Sequence, residues 1–297
     1  MGGVLRSGTG ASLQSRSETT GAAPGSTHEF PFTAREFERV QRLIHQRAGI
    51  SLHAGKQSMV YNRLARRLRA CRLASFSQYL DRLDDPHATE WEAFVNALTT
   101  NLTAFFREGH HFPVLAQHLA SLKHQSDIRI WCTAASTGEE PYTIAMTALE
   151  AIGNAGSRVH ILASDIDTEV LRTAGAGEYQ ENAVHAVDSA LLSKYFLRGT
   201  NERSGLVKVR PALRERITFQ RINLLDAAWP RMGPFDAVFC RNVMIYFDKP
   251  TQQRIIDRFA GVMPPGALLF CGHSEHIAAT CQQFKLQGKT VYTRTAA

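Results

Sequence analysis

The sequence predicts two folded units in tandem, a small all-helical module followed by a doubly wound α/β domain. Two observations carry this reading. Between residues 29 and 98 apolar side chains recur at helical spacing, and from residue 127 onward short apolar runs alternate with helical segments through short connections. A third observation is the stretch 177–216, which breaks the alternation and is too long for an ordinary connection. It is expected to form a small inserted subdomain with strands of its own. With 297 residues, 44% of them hydrophobic, the chain can supply a core to both units.

Residues 1–28 are mainly Gly, Ser, Thr and Ala, with Val4, Leu5 and Leu13 the only large aliphatic side chains, and are expected to be a disordered tail. Arg6 stands where a myristoylation signal needs Ser or Thr, so no lipid anchor is expected. Thr33-Ala34-Arg35-Glu36 has the form of a capping box. Behind it Phe37, Val40, Ile44 and Ala48 mark one helix face, and Gly49 stops the helix. A second helix is expected over 56–71, burying Val60, Leu64, Leu68 and Cys71; a third starts at Phe76 and a fourth covers 89–98.

In the second unit, residues 127–133 and 158–164 read as buried strands, the latter ending in Asp165. Helices are expected over 139–152 and from Thr168. Residues 217–222, 235–240 and 267–271 are further strands, with a helix over 251–263 that Pro264-Pro265-Gly266 closes. Residues 284–286 and 290–293 flank Gln287-Gly288-Lys289 as an antiparallel pair, and Val207–Val209 is a strand of the insertion.

The charge is uneven. The net balance is +7, yet the 42 residues from Arg39 to Leu80 hold nine basic residues and no acid, which leaves −2 for the rest. A uniformly basic coat for nucleic acid is thereby excluded. On a helical wheel Arg63, Arg66 and Arg69 fan across the side opposite Val60, Leu64 and Leu68, and form a candidate docking face for an acidic partner. Cys71, Cys132, Cys240, Cys271 and Cys281 are odd in number and lack C-x-x-C spacing, as expected of reduced thiols in a cytoplasmic protein. No apolar run reaches the roughly 18 residues of a membrane span, and the N-terminus lacks a signal-peptide layout. His273 and His276 have no third ligand beside them, so no metal site is expected.

In an open α/β sheet, ligands bind beyond the carboxyl ends of the strands. The first such end runs Thr133-Ala134-Ala135-Ser136-Thr137-Gly138-Glu139-Glu140. It lacks G-x-G-x-x-G, and acids at its helix start would repel a pyrophosphate, which disfavours a nicotinamide dinucleotide. An acid there suits a cationic ligand such as S-adenosyl-L-methionine, whose ribose hydroxyls Asp165 can accept. Only one of the adjacent Glu139 and Glu140 can face such a ligand, because neighbouring helix residues diverge by about 100°.

Six motifs in order give the chain a family resemblance. They are Asn101-Leu102-Thr103-Ala104-Phe105-Phe106-Arg107, Ala134 to Tyr142, Ala163-Ser164-Asp165-Ile166-Asp167, Asn223-Leu224-Leu225, Phe235 to Asp248, and Gly272-His273-Ser274-Glu275. Over residues 29–297 the chain resembles the CheR-type chemotaxis receptor O-methyltransferases. The resemblance implies a class I Rossmann-like methyltransferase domain over 99–297 with a small β insertion, after a helical receptor-docking domain over 29–98. It implies methyl transfer from S-adenosyl-L-methionine to the γ-carboxylate of chemoreceptor glutamates, leaving S-adenosyl-L-homocysteine. Carried over, Asn101, Thr103, Arg107, Glu140, Asp165, Asn223, Leu224, Arg241 and Asn242 bind the cofactor, and Arg107 and Tyr246 lie nearest the transferred methyl. The implied partner is the acidic helical bundle of a receptor, with a receptor C-terminal peptide at the β insertion and the enzyme a monomer. The departures are His276 in place of Asn, and Cys132-Thr133 before Ala134. A nucleic-acid methyltransferase is the competing reading, but no Pro-Pro-Tyr or Pro-Cys pair marks a base-extruding pocket. The arginine helix also lacks interleaved aromatics for base stacking. A receptor-binding protein on a decayed fold is the other, and the intact Asn101, Arg107, Asp165, Asn223 and Tyr246 argue against it.

Overall fold

The computed structural model describes residues 29–153, 158–230, 232–277 and 281–296. The tail expected over 1–28 lies outside the described residues. The first unit consists of α1 (Ala34–Ala48), α2 (Gln57–Cys71), α3 (Phe76–Asp81) and α4 (Glu90–Leu98). The Thr33 hydroxyl accepts from Glu36 N at 3.2 Å, and Glu36 Oε2 accepts from Thr33 N at 2.8 Å, so the predicted capping box forms with both arms. Val40, Ile44, Val60, Leu64 and Leu68 interlock with Phe76, Tyr79, Phe94 and Leu98 in one core. Complete burial of each such side chain contributes roughly 1.5–3 kcal/mol. Cys71, the last residue of the α2 stripe, is only half-buried and packs at its margin.

Gly49 ends α1 in the left-handed region, φ +69°, and its N–H returns to His45 O at 2.8 Å. A Cβ there would stand 2.4 Å from Leu225 Cδ1, because the end of α1 is pressed onto the second unit. The same junction is bonded by Asn223 Nδ2 to Arg47 O at 3.0 Å and by Ser51 N to Tyr246 O at 2.9 Å.

The second unit is a seven-stranded sheet. Its strands are β1 (Ile128–Cys132), β2 (Val159–Asp165), β6 (Ile217–Arg221), β7 (Ala237–Cys240), β8 (Leu268–Cys271), β9 (Phe284–Gly288) and β10 (Val291–Arg294). The spatial order is β6-β2-β1-β7-β8-β10-β9, with the first five parallel and β10 antiparallel to both neighbours. Alternation distributes the strands between two apolar layers. Ile128, Ile130, Phe239 and Phe270 face one layer, with α5 (His111–Ser121) and α6 (Glu139–Ile152). Trp131, Val238, Leu269 and Cys271 face the other, with α10 (Lys249–Val262). The reading of the sequence contained no helix at α5, whose Phe112, Leu115 and Leu119 pack on that first layer.

The insertion follows α7 (Thr168–Ala176) and holds β3 (Glu178–Gln180), β4 (Phe196–Arg198) and β5 (Leu206–Val209), antiparallel in the order β3-β5-β4. It also contains the helices α8 (Ser189–Tyr195) and α9 (Pro211–Arg214), which its sequence did not announce.

Candidate active site

The chain runs outward from β1 to β2 and β6, then returns to β7 and β8, so the strand order reverses between β1 and β7. A crevice opens at the carboxyl ends of strands at such a switch point. A cavity of about 400 Å³ lies there, closed on its far side by Ile50, Leu52 and Met59 of the helical unit. The volume is that of a small-molecule site. Asn101, Thr103, Arg107, Glu140, Asp165, Asn223, Leu224, Arg241, Asn242 and Tyr246 all line it.

Tight backbone turns bring these residues together. Ser136 has φ +48° and Asn242 φ +58°, conformations that non-glycine residues seldom adopt and that cluster at functional sites. Gly138, φ +103°, starts α6, and a Cβ on it would lie 2.7 Å from the Tyr179 hydroxyl and 2.9 Å from Ala174 Cβ. Only glycine lets α7 and the insertion approach the turn this closely.

Asp165 closes β2 and is buried. Its Oδ2 accepts from Ser136 N at 2.9 Å and its Oδ1 from Asp167 N at 3.0 Å. Burial pushes its carboxyl up to about 6, against these two bonds. A carboxylate has about four acceptor positions, so both oxygens retain capacity for hydroxyl donors. That donor-accepting pair, beside the apolar Ile166 and Leu224, fits an adenosyl group with its two ribose hydroxyls.

In the same cavity, Glu140 and Arg241 form a buried ion pair at 2.6 Å. Arg241 also approaches Glu108 at 3.3 Å and donates to Arg107 O at 2.5 Å. Burial raises the Glu140 carboxyl while Arg241 pulls it back. At Glu108 burial is again the largest single effect, but Arg241 together with hydrogen bonds from Asn242 and the His273 backbone outweighs it, and the carboxyl is held below its ordinary range. Glu140 is the acid that this side presents to the cavity, with Arg107 and Arg241 beside it and Glu108 behind Arg241, and a carboxylate there suits an ammonium group. Glu139 accepts from Thr137 Oγ1 at 2.7 Å and does not line the cavity, so Glu140 is the one that faces it.

The family models match this two-part layout. Residues 101–293 match the CheR methyltransferase SAM binding domain, and residues 35–99 match the CheR methyltransferase all-alpha domain. The chain belongs to the CheR methyltransferase family. Among its relatives, the chemotaxis protein methyltransferase of Klebsiella aerogenes is 52% identical over 279 residues, covering 94% of this chain and 96% of that protein. The Escherichia coli chemotaxis protein methyltransferase is 49% identical over 267 residues, covering 90% and 93%. Chemotaxis protein methyltransferase 2 of Pseudomonas aeruginosa is 47% identical, covering 89% and 95%.

In the CheR all-alpha domain the three arginines of the candidate docking face part company. Arg63 Nη1 donates to Thr99 O at 2.5 Å and Ala97 O at 3.4 Å, so it satisfies carbonyls at the end of α4 rather than standing in a free face. Arg69 is exposed and pairs with Glu29 at 2.5 Å. Arg66 is exposed and forms no ion pair among the described residues. The rest of the basic window is partly neutralised from outside it, Arg39 by Asp81 and Asp84 and Arg67 by Glu90.

Three acids stand just behind the lining of this CheR cavity and hold residues that do line it, and no site role was expected for them from the sequence. Glu108 directly follows Arg107. Glu275 ends the Gly-His-Ser-Glu motif, is buried, and accepts from Gly272 N at 2.6 Å, Met244 N at 2.7 Å and Asn242 N at 2.8 Å. It thereby shapes the loop that carries Asn242 and Tyr246. Asp167 ends the Ala-Ser-Asp-Ile-Asp motif and N-caps α7. The signal for the last two was position: each is the final acid of a motif, where a loop or helix start exposes backbone N–H groups.

Proposed function

We propose that the protein transfers a methyl group from S-adenosyl-L-methionine to the γ-carboxylate of specific glutamates in chemoreceptors. The observation that carries this is the cavity at the switch point, which offers Asp165 to a ribose and the Glu140 carboxylate to an ammonium group. When bound, the cofactor supplies an electrophilic methyl on a sulfonium.

The chain's own residues have the remaining work. Asp165 accepts the ribose hydroxyls, Asn223 and Leu224 flank the adenine, and Glu140 with Arg241 receives the methionine end. A glutamate with an ordinary pKa near 4.3 is ionised at neutral pH, so no general base is needed. Catalysis then rests on alignment and exclusion of water. Arg107, braced by a 2.6 Å bond to Leu102 O, and the Tyr246 hydroxyl hold the incoming carboxylate in line.

The exposed Arg66 and Arg69 steer the acidic receptor helices, and the outer edge of β4, with Leu197 exposed, takes a receptor C-terminal peptide by strand addition. The enzyme works as a cytoplasmic monomer. Labelled S-adenosyl-L-methionine incubated with receptor-bearing membranes should yield base-labile methanol from receptor glutamates. Label absent from the receptor, or resistant to base, refutes the proposal.

A further inference from the structure

Asp167 is buried, does not line the cavity, and yet bonds to both elements that do. Its Oδ1 accepts from Glu169 N at 3.0 Å and Val170 N at 3.3 Å, the N-cap of α7. Its Oδ2 accepts from Thr99 Oγ1 at 2.6 Å and from Asn101 Nδ2 at 2.8 Å. Its own N–H donates to Asp165 Oδ1 at 3.0 Å. One side chain therefore ties the segment entering the cavity from the helical unit to the strand end carrying Asp165.

The neighbouring bonds continue this joint. Asn96 Nδ2 donates to Thr168 Oγ1 at 3.0 Å, and Thr168 Oγ1 donates to Glu92 at 2.7 Å, fastening α4 to the first turn of α7. From the opposite side, Arg63 of α2 holds Thr99 O. Residues 99–101 are thus a strap anchored at both edges. Asn101 O in turn accepts from the Ser136 hydroxyl at 3.0 Å, which carries the strap across to the turn after β1.

We infer that Asp167 is a positioning residue for the cofactor, setting the distance between Asn101 and Asp165 so that both sides of the cavity meet the bound adenosyl group. A helix cap alone would not require this residue, since Asn and Ser cap as well as Asp. What the longer side chain adds over Ser is a second polar atom, free of the cap, that reaches Thr99 and Asn101 at once.

The inference rests on the cavity being the cofactor site, and the test separates the two. S-adenosyl-L-homocysteine is titrated calorimetrically into the full-length protein, Asp167→Ser and Asp167→Asn. Ser caps α7 but is too short to reach Asn101. Its Kd is expected to rise about tenfold, the scale of a lost intramolecular hydrogen bond. Its KM for the methyl donor should rise in parallel while kcat at saturation stays within about twofold. Asn keeps the length and re-forms both links once the Thr99 hydroxyl and the Asn101 amide turn over, so it should recover most of the affinity. The inference is overturned if Ser binds like the parent protein, if a folded Asn variant is as impaired as Ser, or if Ser loses its helical circular dichroism at the titration temperature. The last outcome would make Asp167 a residue of folding rather than of positioning. A parent protein that binds no S-adenosyl-L-homocysteine would instead refute the cofactor reading itself.

Discussion

Asp165→Asn tests the electrostatics of the site through stability. Burial raises the Asp165 carboxyl from an ordinary 3.8 to about 6. A rise of about 2 pH units, at about 1.4 kcal/mol per unit, is worth about 3 kcal/mol. The native state holds this proton more tightly than the unfolded chain, so it binds more protons between pH 4 and 6. Stability from this group is therefore present below pH 4 and lost as pH rises through 6. Asn cannot titrate, and whatever hydrogen bond it sacrifices to Ser136 N or Asp167 N is sacrificed equally at every pH. The difference in unfolding free energy, parent minus variant, should fall by about 3 kcal/mol from pH 4 to pH 7. Glu139, Glu140 and Glu275 are also raised by burial, but they are common to both proteins and cancel in the difference. Urea denaturation at four pH values reads it directly. Parallel pH curves for the two proteins would refute a strained, ionisable Asp165. Ribose hydroxyls donating to Asp165 favour its ionised form, so S-adenosyl-L-homocysteine binding near pH 6 should release protons, visible as a heat that depends on buffer ionisation enthalpy.

Other perturbations probe other parts. Arg241→Met leaves Glu140 and Glu108 buried without their cation and should cost about 3–5 kcal/mol in urea at pH 7, with a smaller loss at pH 5 where the acids take up protons. Gly49→Ala places a methyl group against Leu225 at a positive φ and should destabilise by about 2 kcal/mol or more, read as a lower melting temperature. Tyr246→Phe should lower kcat while the Kd for S-adenosyl-L-homocysteine stays within about twofold; an equal loss of binding refutes its placement near the methyl. Arg66→Glu with Arg69→Glu should weaken receptor methylation and spare cofactor binding. Arg63→Glu should lower the melting temperature, since it cuts the bonds at the end of α4.

Much of the site could be read without coordinates because its residues sit in local motifs at strand ends. The rule that the crevice lies beyond those ends picks out Asp165 and the acid pair Glu139-Glu140, and small residues mark the turn before α6. The arginine window read differently once folded. Counting charge along the chain cannot see that Asp81, Asp84, Glu90 and Glu29 fold back onto Arg39, Arg67 and Arg69. The helix α5 went unread even though Phe112, Leu115 and Leu119 keep helical spacing, with Pro113 near its start as a tolerated exception.

By itself the sequence determined which faces are apolar, where helices begin and end, and the strand–helix alternation, because these depend on periods of two to four residues and on caps within one turn. The motifs made the family resemblance legible. Only the tertiary structure decided that Glu140 rather than Glu139 faces the cavity, that Arg63 serves α4, and that Asp167 joins the strap to β2. Those outcomes depend on partners separated along the chain by 101, 36 and 66 residues. Such pairings are set by how the sheet closes and the helical unit docks, which no local pattern encodes.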